Sequence, residues 1–226
     1  RRGGLPGQEW HQRRTRVDVN PTQRPVGSVA GQVVGLALLA LLILASYEAA
    51  RPPIESLFLA LHGSEALPRV WMGVAVGATL TVLLYNRLAT QMPVLGLLSL
   101  GAGVCTIVLV ALLSLGEAVP ARGYALYIFK DIYIVILLEA FWTYANTVFD
   151  RKSARWIYGG LLVAGTSGSL IGGALAGRVV QSYGTDASLW LTVPFVLAVA
   201  VVAGEGGSPA ASSACARVRD EPTSSV

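Results

Sequence analysis

Six stretches of this 226-residue chain are long and apolar enough, or nearly so, to cross a lipid bilayer, and nothing else in the sequence limits its fold as tightly. The hydrocarbon core of a bilayer is about 30 Å thick, so a spanning helix needs roughly 20 mainly apolar residues. The stretches are residues 29–47, 70–85, 94–115, 124–149, 157–180 and 188–203. The fourth is interrupted by charges, the fifth is rich in glycine, and the sixth is short and holds Pro194. A backbone in lipid must satisfy its own polar groups, which leaves helices or a closed barrel. No alternating ten-residue pattern of the barrel kind occurs. The expectation is an all-α polytopic membrane protein, a six-helix transmembrane bundle over residues 28–203.

Composition agrees. Charged residues make up 13% of the chain and hydrophobic ones 54%, against roughly 25% charged in soluble domains. That excludes a small soluble enzyme. Two cysteines and two histidines leave little for a disulfide framework or a metal cluster. Cys105 falls in the third stretch and Cys215 in the tail, so no disulfide is expected. His11 and His62 form no metal-ligand spacing, and no Ser/His/Asp arrangement is visible. The sequence therefore calls for no metal, no cofactor and no catalytic residue, and the chain reads as a non-enzyme.

The formal charge is +4, and the placement of the basic residues explains it. With six spans, twelve lie on one side: Arg1, Arg2, Arg13, Arg14, Arg16, Arg24, Arg87, Arg151, Lys152, Arg155, Arg217 and Arg219. Four lie on the other: Arg51, Arg69, Arg122 and Arg178. Basic residues favour the cytoplasmic side, which puts both termini there and locates the chain as multi-pass in an inner (cytoplasmic) membrane. The arginines of the N-terminal segment have few aromatics among them and no binding-module pattern, so nucleic acid is not expected as a partner. The first apolar run is too long, and lacks the cleavage site, for a removed signal peptide. Residues 1–27 read as a disordered basic cytoplasmic segment and 204–226 as a flexible tail. The chain begins with arginine, which fits a processed N-terminus or a piece of a longer protein.

Ionisable groups near the middle of a bilayer cost at least about 2.5–3.5 kcal/mol each and call for a reason. The fourth stretch carries Lys130, Asp131 and Glu139. Glu139 is set deepest, between IYIVILL and AFW. At about 100° per residue, Val135, Trp142, Thr143 and Asn146 lie within about 60° of it. This polar stripe is expected to face a cavity or another helix. Asp131 lies about 80° off the stripe and Lys130 on the opposite side. Glu139 reads either as a titrating or cation-pairing group or as half of a structural ion pair, with Arg51 as a candidate partner. At the end of the first stretch stand Tyr47, Glu48, Arg51, Pro52, Pro53 and Glu55. The prolines are expected to kink or end the helix, placing Arg51 near its outer end, or deeper if the helix continues through SLFLALHG. An arginine there suits an anionic ligand or snorkels at the interface. In the fifth stretch, Gly168-x3-Gly172 and Gly173-x3-Gly177 let helix backbones approach closely and are expected to pack helices.

Two segments resemble the bacterial and plastid ATP/ADP translocase family, a distant relative of the major facilitator superfamily. The first is Tyr47-x3-Arg51-x3-Glu55-x-Leu57, followed by Gly63-Ser64-Glu65-Ala66-Leu67-Pro68 and a span closing on Leu84-Tyr85-Asn86-Arg87-Leu88. The second is Phe141-Trp142-x2-Ala145-Asn146, then Ala154-Arg155 and Tyr158. The chain departs from the family at Ile54, where the family has a lysine, and at Lys130, where it has a glutamate. The resemblance implies one six-helix half of a secondary transporter that moves a small anionic or polar solute, such as a nucleotide, against a second six-helix half or a second copy. On the transporter reading, Arg51, Lys130, Glu139, Trp142 and Asn146 are the candidates for solute contact, and Asp131 and Glu139 for coupling. The reading it competes with is a non-transporting membrane scaffold or regulatory subunit on the same fold.

Overall fold

The computed structural model describes residues 26–115, 119, 121–149 and 151–206, the side chains of 26–30 and 151–155 excepted. It divides into two units, Arg1–Gln32 and Val33–Val226. The first is described only from Val26, where a helix begins, and the second holds the helical bundle. Residues 1–25 of the segment expected to be disordered and 207–226 of the expected tail lie outside the described residues, while Val26 and Gly27 already belong to a helix.

The elements are α1 (Val26–His62), a 3-10 turn (Ser64–Ala66), α2 (Leu67–Ala89), α3 (Val94–Ser114), α4 (Ala121–Val148), α5 (Arg151–Tyr183), α6 (Thr185–Trp190) and α7 (Thr192–Gly206). Among the described residues there is no strand. Five segments are long and apolar enough to cross a membrane: Gly31–His62, Ser64–Ala89, Val94–Ser114, Trp156–Tyr183 and Thr185–Glu205. The chain is thus an all-α membrane protein with one fewer qualifying segment than the six expected. The remaining helix, α4, has 28 residues, about 42 Å at 1.5 Å each. Its length suffices for a bilayer, and its charges Arg122, Lys130, Asp131 and Glu139 set it apart.

Local chemistry explains the ends and breaks. Gly63 (φ 72°) and Gly184 (φ 88°) are the positions of positive φ among the described residues. A side chain rarely adopts that conformation, and each glycine turns the chain between helices. Pro68 sits in the first turn of α2, where a missing N–H costs nothing. Pro194 breaks the last span: it lacks an N–H and its ring clashes with the carbonyl four residues back, so the helix is interrupted at Leu191 between α6 and α7. Pro52 and Pro53 behave otherwise. They lie inside α1, which runs 37 residues without ending. Two i→i−4 hydrogen bonds are forfeited there, leaving the Glu48 and Ala49 carbonyls without an intrahelical donor. Packing holds the helix together, since Ala49, Ala50, Pro53 and Ile54 are all buried. Arg51 is therefore well inside the helix, eleven residues before its end. At the other terminus α7 reaches Gly206, three residues past the expected boundary.

Two apolar cores lie along the bundle. One joins Leu36, Leu39 and Ile43 of α1 to Leu98 and Ala102 of α3, Tyr133, Leu137 and Phe141 of α4, and Val196 and Val199 of α7. The other joins Ala50, Ile54 and Phe58 of α1 to Val70 of α2, Leu109 and Leu113 of α3, Leu126 and Tyr127 of α4, and Leu189 of α6. On α4 the boundary between them falls at Lys130 and Asp131. Large apolar side chains also face outward, including Met72, Val76, Leu80 and Leu83 of α2 and Leu162, Val163 and Leu170 of α5. Soluble monomers rarely show apolar stripes of this extent, whereas lipid solvates them.

The first glycine pair of α5 meets α1 at its backbone. A Cβ at Gly168 would collide with the Leu41 carbonyl, and one at Gly172 with the Ala45 carbonyl. The four-residue register on both helices lets the two backbones touch twice, one turn apart. Gly173 and Gly177, expected to pack likewise, have no atom of the described residues within 4 Å of such a Cβ. They face away from α1, because one residue along a helix is a rotation of about 100°. A further small-residue pair, Gly73 and Gly77 of α2, admits the Ile128 and Ile132 side chains of α4.

Candidate functional site

Side chains at i and i+4 share a helix face, and three such rows converge at the boundary between the cores. Tyr47, Arg51, Glu55 and Leu59 come from α1, Leu67 and Trp71 from α2, and Tyr127, Lys130 and Asp131 from α4. Together they line a cavity of about 400 Å³, within the usual range for small-molecule sites.

Exposure is graded across the cluster. The Arg51 side chain is 48% exposed, Glu55 35%, Asp131 24% and Lys130 3%. Lys130 is thus the floor and Arg51 the mouth. The Lys130 ammonium lies 2.8 Å from Asp131 Oδ1 and 3.4 Å from Glu55 Oε1, and 4.1 Å from the centre of the Tyr127 ring. Arg51 Nε donates to the same Glu55 Oε1 at 3.2 Å, and its guanidinium is 3.9 Å from Glu48. The Tyr47 hydroxyl, at 3.5 Å, points at Asp131 Oδ1, and the Trp71 indole donates to the Tyr127 hydroxyl at 3.3 Å. A buried ammonium is stable only where partners offset its desolvation. Two carboxylates and an aromatic face do so here.

Charge balance decides what this arrangement can do. The cavity wall carries two cations, Arg51 and Lys130, and two carboxylates, Glu55 and Asp131. Neither cation is free, so an anion entering the site must compete with a carboxylate already present. The Trp71, Tyr127 and Tyr47 rings give the remaining wall an apolar, polarisable character suited to the body of a small organic solute.

The structure brings together Arg51, Lys130 and Asp131 of the residues expected from the sequence. It does not bring Glu139, Trp142 or Asn146 to them. Glu139 is exposed, with no hydrogen bond or ion pair among the described residues, and Arg51 pairs with Glu55 and Glu48 instead. The reason lies in the face of α4 that packs. From Leu126 on, its buried residues are Leu126, Tyr127, Lys130, Tyr133, Ile134, Leu137, Ala140, Phe141 and Ala145, a helical stripe that leaves Glu139 on the other side. The stripe chosen from polarity faces out, and the lysine opposite it faces in. Trp142 packs edge-on against Tyr158 of α5, and the Tyr158 hydroxyl donates to Asn146 Oδ1. These two residues form a separate α4–α5 contact.

Sequence reasoning missed Tyr47, Glu55, Trp71 and Tyr127 as site residues. The four-residue spacing of Tyr47, Arg51 and Glu55 was a usable signal for the α1 row. No signal in the sequence brings Trp71 to Tyr127, which depends on how α2 docks on α4.

A second polar cluster closes the far end of the bundle. Arg122 is buried and its guanidinium meets Asp186 of α6 at 2.9 Å, while His62 stacks on Phe58 and abuts Tyr124. With Arg122 this close to Asp186 and deep in the protein, the pair ties α4 to α6 and has the character of a structural clamp. Comparison of the chain with family models, with curated proteins and with solved structures finds no match.

Proposed function

We propose that this chain is one helical bundle of a secondary membrane transporter, and that the cavity walled by α1, α2 and α4 binds its small polar solute. The single observation that carries the reading is the Arg51–Glu55–Lys130–Asp131 cluster around a 400 Å³ cavity, held between two apolar cores. Charges in such a place are costly, and a cavity next to them supplies a use. A polar side chain facing outward from the middle of α4, at Glu139, supports a companion: a second six-helix half, in the same protein or as a second copy, would cover it. Rocking of two bundles around a shared site is how such transporters move a solute. On this reading α4 also crosses the bilayer, bringing the spans to six, in an inner membrane with both termini cytoplasmic.

The resemblance to ATP/ADP translocases suggests a nucleotide as solute. The charge balance of the cavity favours a solute with no more than one net negative charge, since no surplus cation waits for a polyphosphate. A specific observation also favours the rival reading of a non-transporting scaffold: both cations are already paired, as in a purely structural ion cluster.

Uptake into proteoliposomes separates these readings, with labelled ADP, ATP, a monocarboxylate and a zwitterionic amino acid offered in parallel. Saturable uptake of one of them by the native protein supports transport. No uptake of any, by the intact protein with both bundles present, folded and membrane-inserted, supports the scaffold.

A further inference from the structure

One atom, Glu55 Oε1, holds both cations of the cavity: Arg51 Nε is 3.2 Å away and Lys130 Nζ 3.4 Å. That is the position an incoming anion would take, because it is where the fields of a guanidinium and an ammonium add. We infer that Glu55 is a tethered stand-in for the solute's own carboxylate, and that the site takes up a small monocarboxylate together with one proton. This rests on the cavity being the solute site.

Four observations single out Glu55 over its neighbour. Asp131 lies beside Lys130 in the chain, is closer to its ammonium at 2.8 Å, and faces the Tyr47 hydroxyl as well. Glu55 is reached from another helix, holds Lys130 at the longer distance, and is more exposed, 35% against 24%. The carboxylate that can swing away is therefore Glu55. Once it is displaced, the cavity holds three carboxylates against the two cations Arg51 and Lys130, a surplus of one negative charge in costly surroundings that one proton offsets. The groups around Glu55 are Tyr47, Glu48 and Arg51 on α1 and Tyr127, Lys130 and Asp131 on α4. The α2 residues of the cavity, Leu67 and Trp71, bring no charge. No bond other than O–H forms: one proton from water goes onto the Glu55 carboxylate, one carboxylate anion replaces it between Arg51 and Lys130, and the charge of the cavity is unchanged. A nucleoside diphosphate would bring further negative charge with nothing to balance it. Tyr47, Trp71 and Tyr127 favour an aromatic or apolar body on the acid.

The test uses the full chain in lipid nanodiscs and titration calorimetry with benzoate between pH 6 and 8, in buffers of different ionisation enthalpy. Expected is binding with about one proton taken up per benzoate and affinity falling up to about tenfold per pH unit. Benzamide and benzylamine, of similar shape but without the negative charge, should bind far more weakly. Glu55→Gln mimics the protonated side chain and should bind benzoate with no proton uptake and a flat pH profile. Benzoate binding without a proton, tighter binding of ADP or benzylamine, or no benzoate binding would each overturn the inference. So would an unchanged pH profile in a folded Glu55→Gln protein. The proton count on the native chain needs no variant. Benzoate that binds with a proton but is never moved across a membrane contradicts transport and leaves this inference standing. ADP uptake without benzoate binding does the reverse.

Discussion

Lys130 and Glu139 stand nine residues apart on α4, which places them half a turn round the helix from one another. Both interrupt apolar sequence, yet one is 2% exposed beneath two carboxylates and the other faces outward. The contrast shows that apolar flanks report how far along a span a charge lies, not which way it points. Direction is set by the neighbours: α1 and α2 offer Glu55, Tyr47 and Trp71 to one face of α4, and no described residue pairs with Glu139 on the other.

The largest expected effect comes from removing the inward charge. Lys130→Met leaves Glu55 and Asp131 facing each other without the ammonium between them, and breaking a buried pair typically costs about 3–5 kcal/mol. The midpoint of thermal unfolding in detergent should fall steeply, and solute binding should vanish. The same inside–outside contrast recurs on α5 and predicts the next largest effect. Gly172→Leu drives a side chain into the Ala45 backbone and should cost about 1–3 kcal/mol or more, whereas Gly173→Leu, one residue on, should leave the unfolding midpoint almost unmoved. Equal losses at both positions would erase the α1–α5 backbone contact. Trp71→Phe removes the hydrogen bond to Tyr127 and keeps the ring, so a loss of about 0.5–1.5 kcal/mol is expected, with solute affinity reduced more than stability. Glu139→Gln should be the mildest: an unfolding midpoint equivalent to within about 0.5 kcal/mol and unchanged binding at the cavity. A large loss of binding there would place Glu139 at the site after all.

Much of this architecture could be read from residue order. Apolar run lengths located every long helix, while the break in the last span became visible only in the structure. Three charged site residues were visible because charges in apolar sequence are conspicuous. Glu55 was visible too, as part of the Tyr47–Arg51–Glu55 row, but its link to Lys130 was not. That contact joins residues 75 positions apart and exists only because α1 continues through Pro52 and Pro53. Local chemistry offered a kink or an end at those prolines, and the helix does not end there: it runs on to His62 with their neighbours buried. The glycine pairs failed in half for a related reason. Gly168-x3-Gly172 and Gly173-x3-Gly177 are equivalent as patterns, and only the position of α1 distinguishes them.

On the proposed function, the charged layer between the two cores is an open site for a solute rather than a sealed ion cluster. Substituted cysteines test it most directly, in a background where Cys105 and Cys215 are replaced. Leu59→Cys lies in the cavity wall, and Val76→Cys on the outward face of α2. With the protein in membranes, a charged, membrane-impermeant thiol reagent should modify Leu59→Cys, more slowly when benzoate is bound, and leave Val76→Cys untouched. An inert Leu59→Cys, or modification indifferent to every solute offered, would contradict the account.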